Sequence, residues 1–195
     1  MFTSTPTTEF HTQTESQDQT EFLRQTASLN PSQPTRTRSE DPLQNRFGAH
    51  HRLPRGLREE AAGMDWNLFT ATYAPSANIR LHHRKIEKLR GGLYRFHTEL
   101  IHSSKTAEPH TERRELISTG PTSACSTLLA EAGCRTEILS FHQLEIFAAT
   151  ATFLQVTNDR RTVWAIGFGP SPEASVTAAM SSGAQRLNDT QRLYN

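Results

Sequence analysis

The chain has 195 residues, with 21 Lys and Arg against 20 Asp and Glu and a formal net charge of +1. That balance gives no global pull toward nucleic acid or a membrane surface. No apolar run approaches the length of a membrane span, and no signal-like apolar stretch stands near the N-terminus, so a cytoplasmic chain is the expectation.

Residues 1–60 contain no Val, Ile, Trp, Tyr or Cys and are rich in Thr, Ser, Gln, Pro, Arg and Glu. Such a segment buries too little apolar surface to offset the entropy of ordering it, so it reads as a flexible extension. Within it, Phe22-Leu23 and Leu53 to Leu57 can nucleate short helices on a partner. Residues 64–76 change character. Trp66, Phe69 and Tyr73 share one face of a short linker helix that Pro75 should end. All three Val residues, Val156, Val163 and Val176, lie beyond it. The folded domain is therefore expected over residues 77–190.

Ile79 to Leu89 is a basic strand candidate. Gly91-Gly92 is a tight turn, and Leu93 to His102 alternates well, with Tyr94, Phe96, Thr98 and Leu100 on one face. Residues 103–111 read as a loop and Glu112 to Ser118 as a third strand. Residues 122–132 switch to helical spacing, with Ala124, Cys125, Leu128, Leu129 and Ala132 in one stripe and Gly133 suited to the C-terminal cap. The order then repeats. Thr136 to Ile146, Ala149 to Thr157 and Thr162 to Phe168 are β-like, with a turn at Asn158-Asp159-Arg160. A helix over 172–187 follows, capped by Ser171, with Pro172 first. Val176, Ala179, Met180, Gly183 and Leu187 line its inner face. Its small residues allow either close approach of another backbone or tight packing within one chain. The pattern is βββα used twice, an α+β fold of two units related by pseudo-twofold symmetry.

Chemistry-bearing residues are scattered. His82 and His83 point to opposite faces of a strand, and His97, His102, His110 and His142 show no zinc-type spacing, so no metal is expected. Cys125 and Cys134 read as reduced thiols. Arg80, Arg84, Lys85, Lys88, Arg90 and Arg95 form a basic stretch that reads as a solvated strand edge. No nucleophile motif, phosphate loop, dinucleotide fingerprint or useful carboxylate pair appears, so no catalytic residue and no cofactor is assigned.

Four segments resemble the regulatory, leucine-feedback and dimerisation domain of 2-isopropylmalate synthase. They are Trp66-Asn67-Leu68-Phe69 with Tyr73-Ala74-Pro75, Ser118-Thr119-Gly120-Pro121, Glu137-Ile138-Leu139-Ser140-Phe141-His142, and Val163-Trp164-Ala165-Ile166-Gly167-Phe168 with Ala174 to Arg186. The resemblance covers about residues 66–187. It implies two βββα units, a homodimer and an effector site for leucine or a related amino acid. Matched residue by residue, it puts Gly120, Thr122 and Ser123 on the first loop of that site, Ile138 and Phe141 on its strand, and Phe168 and Pro170 on the second Gly-Pro turn. Phe141 stands where the family has a tyrosine, Glu145 where it has an alanine, and Phe147-Ala148-Ala149 replaces a longer loop. The synthase's catalytic barrel has no counterpart here, so the expectation is a stand-alone, non-catalytic regulatory domain. It would sense a small amino-acid-like effector or modulate a full-length 2-isopropylmalate synthase. The alternatives are a nucleic-acid-binding module built on residues 79–97 with tail arginines Arg36, Arg38, Arg52, Arg55 and Arg58, or a degenerate paralogue that only dimerises.

Overall fold

A computed structural model describes residues 40–103 and 108–189. Phe22-Leu23, Arg36, Arg38 and the middle of the 103–111 loop lie outside the described residues. Three short helices come first: α1 (Pro42–Phe47), α2 (Arg55–Glu60) and α3 (Trp66–Tyr73). Then come strands β1 (Ile79–Lys88), β2 (Tyr94–His102) and β3 (His110–Ser118), and helix α4 (Pro121–Glu131). Strands β4 (Glu137–Ile146), β5 (Ala149–Thr157) and β6 (Thr162–Gly169) and helix α5 (Pro172–Asp189) complete the described fold. Each strand triplet is a separate antiparallel sheet in sequential order, so the architecture is α+β with two similar βββα units.

The turns form where the sequence places residues that tolerate them. Gly91 and Gly92 carry φ of +72° and +76° between β1 and β2. Asn158 folds its Oδ1 onto the Arg160 and Arg161 N–H groups at the β5–β6 turn. Helix α4 ends in a Schellman arrangement, with Gly133 at φ +77° and the Cys134 N–H donating to Leu129 O at 2.7 Å.

Strand β6 governs how the second unit packs. Val163, Ala165, Gly167 and Gly169 lie in register with Val156, Leu154, Thr152 and Thr150 of β5 and face α5. Side-chain size thus falls to nothing along that face. A Cβ on Gly167 would sit 2.1 Å from the Ala179 backbone N, and one on Gly169 2.5 Å from that of Ser175. The helix backbone therefore rests directly on the strand. The small residues of α5 serve packing within the chain, since a Cβ on Gly183 would meet Val156 at 2.9 Å.

Helix α5 is buried well beyond its inner face. Val176, Ala179, Met180, Gly183 and Leu187 are buried as anticipated, and so are Ser175, Thr177, Ser181, Ser182 and Gln185. The extra burial arises because β1 approaches the helix from another side. Its Leu81 N–H donates to Ser181 Oγ at 3.1 Å, and the preceding Asn78 N–H donates to Gln185 Oε1 at 2.8 Å. Polar side chains on a buried helix face are thereby satisfied by a strand edge rather than by water.

The flexible extension expected over 1–60 needs correction at its C-terminal end. Residues 40–60 belong to the fold. Leu43, Leu53 and Leu57 are buried with Phe69 and Tyr73 against Ala151, Phe153, Trp164 and Ile166, on the face of the second sheet opposite α5. Asp41 organises the entry. Its Oδ1 accepts from the Leu43 and Gln44 N–H groups at 2.9 and 3.2 Å, and its Oδ2 from the Leu53 N–H at 2.9 Å. The segment is poor in apolar residues on average, but the few it has are nearly all aimed inward. Around Leu53 to Leu57, read as part of a flexible tail that could nucleate a helix on a partner, the helix α2 forms, and the surface it covers is this chain's own sheet. The linker helix of residues 64–76 is α3, capped by Asp65, whose side chain accepts from the Leu68 N–H at 2.8 Å.

Gly167→Ala should destabilise the protein by about 3 kcal/mol, because the helix backbone must move to admit a methyl group. Gly120→Ala, with no atom within 4 Å of the new Cβ and an extended φ, should cost under about 0.5 kcal/mol. Urea unfolding of the two variants checks the contrast.

Candidate functional site

The N-termini of α4 and α5 and one face of β4 enclose a cavity of about 440 Å³. Pro121 and Thr122 come from α4, Ile138, Phe141 and Gln143 from β4, and Pro172, Glu173 and Val176 from α5. Cavities of this volume suit small molecules.

Strict alternation would put Ile138 and Phe141 on opposite faces of β4. A register shift between Ile138 and Ser140 makes Leu139 the extra residue, and both side chains then fall on the α5 side, opposite Val156 and Leu154. Gln143 follows in phase, opposite Thr152. Its Nε2 donates to Pro172 O at 3.1 Å and lies 2.9 and 3.2 Å from the Thr152 and Ser175 hydroxyls. A main-chain carbonyl only accepts, so the nitrogen is fixed on that side and Oε1 is turned away from the network. Thr152 and Ser175 share a 2.6 Å hydrogen bond beneath it.

Helix α4 begins at Gly120, which offers no side chain to its first turn. The Ala124 N–H is bonded to Gly120 O, and the earlier N–H groups have no partner within the helix. At α5 the Ser171 hydroxyl accepts from the Ala174 N–H at 3.2 Å.

Of the site residues anticipated from the sequence, Thr122, Ile138 and Phe141 line the cavity together, with Gly120 at its margin as the helix cap. Ser123 is exposed and does not line it. Phe168 and Pro170 require correction. Phe168 lies on the other face of β6, its ring 5.9 Å from that of Trp66, and Pro170 is exposed in the turn. The structural counterpart of Pro121 is Pro172, the residue that opens α5, so the second wall is built from Pro172, Glu173 and Val176. A readable signal existed: Glu173 follows its helix-opening proline as Thr122 follows Pro121. Glu145 does not line the cavity, and Phe147 is 83 % exposed at the β4–β5 turn, so neither fills it.

Close by, Cys125 Sγ lies 3.7 Å from His83 Nε2, and His83 Nδ1 lies 2.7 Å from Thr98 Oγ1. The order is that of nucleophile, base and orienting group, but the electrostatics run the other way. Burial pushes the Cys125 thiol up to about 12. Burial, with a smaller push from His82, brings the His83 imidazole down to about 4 against an opposing pull from Glu173. Both groups are neutral near pH 7, and Cys125 is fully buried.

Elsewhere among the described residues, no three His, Cys, Asp or Glu side chains are grouped to hold a metal. No described helix is long and apolar enough to cross a membrane. The basic stretch runs along the edge strand β1 and through the turn to Arg95 on β2, and its cations are partly paired, Lys85 and Arg95 with Glu87 and Arg84 with Glu99. Phe96 is buried and Tyr94 half-buried, on the face away from Arg95 and Glu99. Of the cations, Lys88 lies directly opposite Tyr94. No protein-family profile and no curated protein matches this chain.

In mildly alkaline buffer Cys125 should stay unmodified by iodoacetamide until the protein unfolds, as read by mass spectrometry. A second expectation concerns pH. His83 has a depressed folded value, so below about 6.5 the unfolded chain takes up a proton that the folded chain refuses until about 4. Its contribution to stability is complete above that window and is lost as pH falls through it. His83→Gln should flatten the fall, measured by urea unfolding across the same range.

Proposed function

We propose that this chain is a non-catalytic regulatory and dimerisation domain that senses a small amino-acid-like effector, similar to the leucine-feedback domain of 2-isopropylmalate synthase. The observation that carries the reading is the cavity, to which both βββα units contribute their helix starts and β4 contributes an apolar wall. The unpartnered N–H groups at the start of α4 suit a carboxylate. Ile138, Phe141 and Val176 suit an aliphatic tail.

Pairing with a second copy is part of the proposal. Phe141 is 44 % exposed at the cavity's rim and Leu139 58 % exposed beside it, on an outer strand of the second sheet. An apolar, unpaired strand edge of this kind favours association. The partner chain would close the open side of the cavity, and a full-length synthase is the natural target of such a module. A cytoplasmic setting belongs to the same reading and is supported by two free thiols, Cys125 and Cys134.

Sedimentation velocity should find a dimer, and calorimetric titration with leucine, isoleucine and valine should find saturable binding by at least one. At a hundredfold excess over its dissociation constant that ligand should add about 2.7 kcal/mol of stability. No heat and no thermal shift with any of the three removes the sensing function; a monomer at all concentrations removes the dimer.

A further inference from the structure

We propose that the cavity selects its ligand by an ammonium group, held between the Glu173 carboxylate and the Gln143 side-chain oxygen. It therefore rejects molecules with the same tail but no amine. The inference rests on the effector reading and specifies what that site reads.

Glu173 lies in the cavity wall at the second position of α5 and is half-buried. Among the described residues no Lys or Arg forms an ion pair with it. The neighbouring titratable group that feels its charge is His83, which burial keeps neutral. A carboxylate on the wall of a cavity with no cation to answer it sets the sign of the local potential. Gln143 adds a second acceptor to the same wall. Its nitrogen is committed to Pro172 O and the Thr152 and Ser175 hydroxyls, so the oxygen is the atom left for a ligand, and it cannot be exchanged for a donor without breaking that network. Two acceptors and no side-chain cation in the lining fit a donor-only group, which an ammonium is. Apart from Thr122, the rest of the wall is apolar, with Ile138, Phe141 and Val176 its largest side chains. A ligand offering only a carboxylate and a tail could use the N–H groups at the start of α4, but it would leave Glu173 and the Gln143 oxygen without a donor and bring a second negative charge into the cavity that holds Glu173.

The test compares ligands that share one branched tail: leucine, isoamylamine and α-ketoisocaproate. It uses the full chain and Glu173→Gln, which keeps shape and removes charge, with Glu173→Asp as the charge-retaining control. Wild type should bind leucine and isoamylamine and bind α-ketoisocaproate at least about tenfold more weakly. Glu173→Gln should weaken both amines by about tenfold and leave the keto acid unchanged or improved, while Glu173→Asp recovers part of the loss. Circular dichroism confirms that each variant is folded. The inference is overturned if wild type binds keto acid and leucine alike, or if Glu173→Gln binds leucine as wild type does. If wild type binds none of the three, the effector reading itself falls and this inference with it.

Discussion

Helix α5 rests backbone to backbone on β6, and the rest of the molecule is arranged around that contact. It requires Gly167 and Gly169, since a methyl group at either position would overlap the helix main chain. Because the helix lies so close, its first turn reaches both β5 and β4. Ser175 comes within 2.6 Å of Thr152, and Pro172 O within 3.1 Å of Gln143 Nε2. The opposite side of the same helix holds β1 through Ser181 and Gln185. One close approach therefore sets the position of the second sheet, the first sheet and the cavity wall.

The two units share an order of elements but divide their labour. Where the second unit has Gly167 and Gly169 ahead of Pro172, the first has Leu116 and Ser118 ahead of Pro121. Side chains at those positions keep α4 from the intimate contact that α5 makes. Helix α4 packs instead against α5 and the end of β3. Its start is free to form the opposite wall of the cavity. Equivalent positions then present different chemistry, a hydroxyl at Thr122 and a carboxylate at Glu173. Two similar units in this way present a polar asymmetry across one shared space.

The strands and both long helices were legible because their cues are local. Alternation in β2, turn residues at Gly91-Gly92 and Asn158-Asp159, and prolines at the helix starts each act within a few residues. Two features were not legible, for physical reasons. The bulge at Leu139 has no signature in a period-two pattern, and only the family resemblance put Ile138 and Phe141 on one site. The docking of residues 40–60 depends on a few apolar side chains meeting a distant sheet, and composition averaged over sixty residues dilutes them. Phe168 failed for the opposite reason. Its neighbourhood in sequence to the Gly-Pro turn suggested the cavity, while alternation along β6 sends it to the other face with Trp164 and Ile166.

That other face also explains why the cavity opens where it does. The N-terminal helices cover one side of the second sheet and α5 covers most of the other, so β5 is buried almost throughout. Strand β4, at the edge, is left partly uncovered, and its α5-facing side chains have space before them. Of these, Gln143 holds two offices at once. Its nitrogen ties β4 to the start of α5, and its oxygen is turned away from that network. Altering it would disturb the wall itself. Glu173 has no such tie, since its carboxylate holds no other part of the chain in place. Charge at the cavity can thus change at the start of α5 without disturbing the contacts that hold the fold.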